Sequence, residues 1–235
     1  MKTLGIIGGI APGSTIDYYR SIIALYRERR RDGSYPPIII NSIDLKKMLD
    51  LIGAEDLAGV TEYLVGEVTK LARAGAEVGL LASNTPHIVF EDIRERSPIP
   101  LISIVEATCE AARALGLHRV GLFGTRFTMQ GRFYPEVFSS QGIAVRAPAL
   151  EDQEYIHDKY MGELVNGVFR DDTRQRLLAI VDRLRERERI QGLILGGTEL
   201  PLIFRDVSDR GIPFLDTTRI HVERAVADML SEDAA

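Results

Sequence analysis

The 235 residues contain one cysteine, Cys109, and no tryptophan. One thiol excludes an intrachain disulfide and a thiolate metal cage. No apolar run approaches the eighteen or so residues that a membrane-spanning helix requires. Residues 1–3 lead straight into a strand-like segment without an apolar leader or a small-residue cleavage site, so the expected compartment is the cytoplasm and no membrane partner is expected. An excess of basic charge is missing too. Lys and Arg number 29 against 34 Asp and Glu, giving a formal net charge of -5. Nucleic-acid phosphates call for a concentrated basic surface, so nucleic acid is not an expected partner. The one basic cluster, Arg27 to Arg31, falls at the end of a predicted helix, where it complements the dipole.

What the chain does have is core material. It is 45% hydrophobic and 27% charged, with 21 glycines and 10 prolines acting as punctuation, a balance that supports one compact unit or two small lobes. Short runs of Ile, Leu and Val with little polar alternation are separated by longer helical patterns, as expected of strands covered on both faces. Leu4–Gly8, Ile38–Asn41, Val78–Ala82 and Leu101–Ile104 are the first four. A helix is predicted from Ser14 or Thr15, one of them as its cap, to about Arg31, with Ile16, Tyr19, Ile22, Ile23 and Tyr26 at helical spacing and Gly33 ending it.

The second half of the chain repeats the first. Gly5-Ile6-Ile7-Gly8 matches Gly121-Leu122-Phe123-Gly124 at an offset of about 116, Ser83 matches Gly197 at about 114, and Ile99-Pro100-Leu101 matches Ile212-Pro213-Phe214 at about 113. The expected fold is therefore α/β, with two pseudo-symmetric Rossmann-like lobes, each a mostly parallel sheet flanked by helices. Residues 1–100 with 212–235 would form one lobe and 101–211 the other, exchanging a segment near each Ile-Pro. Ligands of parallel sheets collect at the carboxyl ends of strands, and a cleft between two such lobes would carry related groups on both sides. The groups to inspect are Ile10 to Thr15, Ser83 to His87, Thr125 to Thr128, and Gly197 to Glu199. Hydroxyls, amides and free backbone N–H groups at helix starts suit a carboxylate.

Other patterns fail on inspection. Gly8-x4-Gly13-Ser14-Thr15 has the glycine spacing of a phosphate-binding loop but lacks its lysine, and no G-x-G-x-x-G follows the first strand. His87, His118, His157 and His221 show no metal spacing, so no metal is expected. Cys109 sits in a helical pattern away from any strand end, which favours a small packing residue over a nucleophile.

Ser83-Asn84-Thr85-Pro86-His87 and Gly196-Gly197-Thr198-Glu199-Leu200-Pro201 resemble the two signature segments of the aspartate/glutamate racemase superfamily, which usually read Cys-Asn-Thr-x-His and Gly-Cys-Thr-Glu. Gly5 to Gly9 with Ala11, Pro12 and Thr15, then Gly124 to Met129, and Phe214 to Thr218 extend the resemblance over essentially the whole chain, within the aspartate racemase branch. The resemblance implies two lobes around a cleft, chemistry at the α-carbon of a small amino acid or related carboxylate, no pyridoxal phosphate or other cofactor, and a homodimer. In that family one thiolate removes the α-proton while a thiol opposite returns one. At the two thiol positions this chain has Ser83 and Gly197, and a serine hydroxyl is a poor base without a partner. His87 is a candidate partner for Ser83, and Glu199 a candidate base in its own right. The resemblance assigns substrate contact to Asn84, Thr85, Thr125 and Thr198; ordinary helix capping is the alternative for each, and it competes more closely for Thr125 and Thr198 than for Asn84 and Thr85. A cation for a distal carboxylate would come from the Glu163-Leu164-Val165-Asn166-Gly167 segment, where Asn166 takes the basic position. Lys46 and Lys47 are alternative cations or plain surface charges. Three readings follow: a racemase-family enzyme without the two-thiol mechanism, a lyase or decarboxylase of the same superfamily, or a non-catalytic carboxylate binder.

Overall fold

The structure, a computed structural model, describes residues 1–205 and 211–231. The chain divides into two compact units, residues 1–103 with 221–235 and residues 104–220. In the N-terminal unit, β1 (Leu4–Gly8) is followed by α1 (Pro12–Arg30), β2 (Ile38–Ser42), α2 (Leu45–Gly53), α3 (Leu57–Arg73), β3 (Val78–Leu81), a 3₁₀ turn over Thr85–Val89, α4 (Phe90–Arg96) and β4 (Leu101–Ile102). The C-terminal unit contains α5 (Ile104–Ala114), β5 (Arg119–Gly124), α6 (Arg126–Gln130), α7 (Phe133–Ser140), β6 (Ala144–Arg146), α8 (Leu150–Gly162), α9 (Asp171–Glu188), β7 (Gly192–Gly196), α10 (Leu200–Ile203) and β8 (Phe214–Asp216), and α11 (Thr217–Leu230) begins there.

Each unit holds a four-stranded sheet, ordered β2-β1-β3-β4 in the first and β6-β5-β7-β8 in the second, with every pairing parallel. The order is the same in both. Register carries the likeness to single residues: Ile7 partners Leu81 as Phe123 partners Leu195, and Gly79 partners Leu101 as Leu193 partners Phe214. These pairs reproduce the offsets read from the sequence. Parallel strands cannot be joined by a hairpin, which is why helical segments connect them and cover the sheets, and why β1, β3 and β7 are buried at every residue.

The unit boundaries differ from those expected. β4 pairs with β3, so residues 101–103 stay with the N-terminal unit, and β8 pairs with β7, so residues 212–220 stay with the C-terminal unit. Pairing alone decides this, because the Ile-Pro dipeptide marks the start of a strand and not the hand-over, which comes one strand later. The segments 206–210 and 232–235 of the expected ranges lie outside the described residues. After β4 the chain enters the second core, where Ile104, Val105, Cys109 and Ala112 of α5 pack with Val120, Leu122, Tyr134, Phe138 and Leu215. From His221 onward α11 belongs to the first core, where Val222, Ala225, Val226 and Met229 pack with Leu4, Ile6, Tyr18 and Leu80. Cys109 is buried on α5, and burial pushes its thiol up from the usual cysteine value.

The first helix starts earlier than predicted. Its N-cap is Ala11, with Pro12 in the first turn, where a missing N–H costs nothing. Ser14 and Thr15 are therefore inside the helix and do other work: Ser14 Oγ donates to the Ala11 carbonyl at 2.7 Å, and Thr15 Oγ1 accepts the Gly9 N–H at 2.8 Å. The helix ends at Arg31 in the left-handed region (φ 53°), two residues before the expected glycine. Both units end their first strand in the same way. A Cβ at Gly8 would overlap Thr15, and one at Gly124 would lie 2.9 Å from Thr128 Cβ, so each glycine lets a threonine from the next helix close against the strand end.

Candidate functional site

The segment after β3 begins at Ser83, two residues beyond the last paired residue, Leu81. Ser83, Asn84, Thr85 and His87 are all buried, and Pro86 fixes the first turn of the 3₁₀ segment. Asn84 stands at the N-cap of that turn but its side chain makes no capping hydrogen bond. Its carbonyl accepts the His87 N–H at 3.0 Å. The His87 imidazole is hydrogen-bonded to the backbone of Ser83 and Asn84 and stacks on Phe90, centroids 4.5 Å apart and planes within 8°. Burial, with His221 and Arg94 adding to it, holds the ring well below the usual histidine value, so it is neutral near pH 7. These contacts orient the strand-end main chain.

Behind this segment lies a second buried histidine. His221, fully buried on α11, meets Tyr18 Oη at 2.9 Å through Nδ1 and the Ile102 carbonyl at 3.0 Å through Nε2. A carbonyl only accepts, so Nε2 carries the proton and Nδ1 accepts from the Tyr18 hydroxyl. Burial lowers its pKa to about 4. No motif in the sequence marked this Tyr18–His221 pair, because its partners are 203 residues apart.

The matching segment after β7 is Gly197-Thr198-Glu199, and the registers of the two sheets make Gly197 the equivalent of Ser83 in the repeat. Gly197 is not an open position. A Cβ built there would lie 2.5 Å from Tyr160 Cε2 and 2.9 Å from both Cζ and Oη, so the ring of Tyr160, carried by α8, fills the space that a side chain would use. The Tyr160 hydroxyl donates to Glu199 Oε2, and Thr198 Oγ1 donates to the same oxygen at 2.7 Å. Backbone and side-chain hydrogen bonds from Glu199 and Thr198 also reach the phenol. Burial first, and then the Glu199 charge, push the Tyr160 pKa well above the usual phenol value. Glu199 makes no capping bond to α10, so its carboxylate is committed to the hydroxyl pair. The sequence offered one signal for Tyr160, a glycine where a side chain is expected, but nothing to say which residue fills the gap.

The remaining sequence-derived residues each engage partners of their own, and Thr125 follows Gly124, the register partner of Gly196. Thr125 caps α6, its Oγ1 accepting the Thr128 N–H at 3.3 Å, and it meets Thr128 Oγ1 at 3.2 Å. Lys46 is exposed on α2 and pairs with Asp50 at 2.5 Å. Lys47 is exposed on the same helix with Nζ 4.2 Å from the Tyr63 ring centroid. Asn166 is exposed and donates to the Met161 and Gly162 carbonyls at 3.3 and 3.2 Å, closing the end of α8. Glu163, from the same segment, pairs with Lys159 at 2.5 Å and accepts from Thr173 Oγ1 at 2.6 Å. Among the described residues no group of three or more His, Cys, Asp and Glu is arranged to hold a metal, and no helix is long and apolar enough to cross a membrane.

Comparisons with known proteins agree with this architecture. A crystal structure of an aspartate racemase homologue from Pyrococcus horikoshii OT3 superposes with a TM-score of 0.85 at 34% identity, covering 98% of this chain and 100% of that one. Glutamate racemase from Francisella tularensis subsp. tularensis SCHU S4, solved with D-glutamate, shares the fold with a TM-score of 0.69 at 16% identity, covering 98% of this chain and 83% of that one. The broad specificity amino-acid racemase RacX of Bacillus subtilis (strain 168) is 26% identical over 166 residues, which is 69% of this chain and 67% of RacX. The family model for Asp/Glu/hydantoin racemases matches residues 7–225. With the same strand order in two units and strand-end segments at equivalent registers, the chain belongs to the Asp/Glu/hydantoin racemase family.

Proposed function

We propose that the protein transfers a proton at the α-carbon of a small amino acid or related carboxylate without a bound cofactor. The observation that carries this reading is that Ser83–Thr85 and Gly197–Glu199 each follow the carboxyl end of the equivalent strand, β3 in one unit and β7 in the other, of a duplicated unit within this family. Asn84 and Thr85 hold the α-carboxylate. Both side chains are buried at that strand end, and a carboxylate accepts the hydrogen bonds that amide and hydroxyl donors offer. Ser83 stands next to them. His87, neutral and bonded to the Ser83 and Asn84 backbone, keeps that segment in shape. Proton transfer in this site does not run through two thiols, since Ser83 and Gly197 occupy the positions concerned and Cys109 is packed on α5.

Incubation of the purified protein with L- and D-aspartate, L- and D-glutamate and a panel of other amino acids in deuterium oxide tests the reading. Loss of an α-proton signal in the NMR spectrum, dependent on protein, is the expected result. Intact α-protons for every amino acid, with a carboxylate still binding, would establish a binder in place of an enzyme.

A further inference from the structure

We infer that Tyr160, backed by Glu199, is the proton-transfer group that the C-terminal unit presents at the end of β7. The inference rests on the proposed α-carbon chemistry and names the group that performs it. Three observations meet at one place. Gly197 holds the strand-end position equivalent to Ser83, and the ring of Tyr160 fills its side-chain space, with Oη 2.9 Å from where a Cβ at 197 would be. Residue 197 has no side chain to supply a reactive atom, and a hydroxyl stands in the space that side chain would enter. That hydroxyl is aimed by its bond to Glu199 Oε2, which Thr198 Oγ1 also holds. The ring itself is locked by packing in a cluster with Phe123, Met129, Ile156, Leu164 and Leu200. A tyrosine needed only for packing requires no carboxylate against its oxygen, since phenylalanine fills such a cluster without leaving a buried hydroxyl to satisfy.

The arrangement works as a relay. The substrate α-C–H bond breaks and its proton joins the Tyr160 oxygen while the phenolic proton passes to Glu199 Oε2. The electron pair stays on the substrate, delocalised into its carboxylate. In the reverse step Glu199 returns a proton to Tyr160 and Tyr160 gives one to carbon. The phenol is never an anion, which suits a hydroxyl held protonated by burial beside a carboxylate. A single relay serves one face of the α-carbon, so exchange with solvent outruns inversion.

The test is α-proton exchange in deuterium oxide with L-aspartate, L-glutamate and the same amino-acid panel, followed by NMR with chiral analysis of the product. Tyr160→Phe keeps the ring in place and removes only the hydroxyl. It is expected to lower the exchange rate about 100-fold or more while leaving KM within a few-fold. Glu199→Gln should lower the rate comparably while leaving KM within a few-fold. Thermal denaturation of both variants confirms that they are folded. A Tyr160→Phe protein that exchanges at the wild-type rate overturns the relay and leaves the proposed function standing. A wild-type protein that exchanges with no amino acid overturns both.

Discussion

Lowering the pH should destabilise this protein through His221, by an amount that the structure defines. The imidazole is fully buried, donating from Nε2 to the Ile102 carbonyl and accepting at Nδ1 from Tyr18. A second proton would remove the Nδ1 acceptor that the Tyr18 hydroxyl uses and place a charge in the core. The folded-state pKa is accordingly lowered to about 4 from 6.5. A histidine depressed in this way leaves stability untouched above the unfolded value. Between the two pKa values the unfolded chain binds a proton that the folded chain refuses, so stability falls as pH falls from 6.5 toward 4 and levels off below. Each pKa unit is worth about 1.36 kcal/mol, which makes the loss about 2.5 kcal/mol at about pH 4.5. His87 is depressed by the same burial and adds to the slope. Urea unfolding followed by far-UV circular dichroism at about pH 7.5 and 4.5, for wild type and His221→Gln, measures the His221 share. Glutamine keeps one donor and one acceptor but does not titrate, so the variant should start about 1 kcal/mol less stable and lose about 2.5 kcal/mol less on acidification. Carboxylates elsewhere titrate alike in both proteins and cancel. Equal losses in wild type and variant would refute the assignment of the buried neutral histidine.

Gly197→Ala forces a methyl group against the buried Tyr160 ring and should cost about 1–3 kcal/mol in denaturant unfolding. In a double-mutant cycle with Tyr160→Leu that cost should shrink by at least about 0.5 kcal/mol, and full additivity would contradict the contact. For the same reason Ser83→Cys with Gly197→Cys should not by itself produce racemisation, whereas adding a shortened residue at 160 removes the obstruction; chiral chromatography of aspartate and glutamate incubations reads this out. Thr15→Ala strips the Gly9 N–H of its acceptor and should lower stability by about 1–2 kcal/mol, measured by urea unfolding. Asn84→Ala should weaken carboxylate binding at least about tenfold by calorimetry, since it removes a buried amide donor. Asn166→Ala, which loses only two exposed helix-end bonds from one amide nitrogen, should change that affinity less than twofold and stability by at most about 1 kcal/mol.

The α/β class, the duplication and the strand-end segments were all legible in the sequence because they are local or periodic. Buried parallel strands leave unbroken Ile, Leu and Val runs such as Leu4–Gly8 and Gly192–Gly196, and a repeated unit leaves offsets that the sheet registers then reproduce. The single thiol on α5 and the glycine at 197 could also be read directly. What the sequence could not contain is which side chains meet over long separations. Tyr160 reaches Gly197 and Glu199 from 37 and 39 residues away, and Tyr18 reaches His221 from 203. The same limit explains Thr15 and Asn166: each residue type suited a cap or a ligand contact, and only the packed chain showed one accepting from Gly9 and the other closing α8. Strand pairing likewise moved the second unit boundary past β8. Periodicity fixes which face of an element is buried, whereas the identity of the neighbour on that face is decided when sheets and helices close on each other.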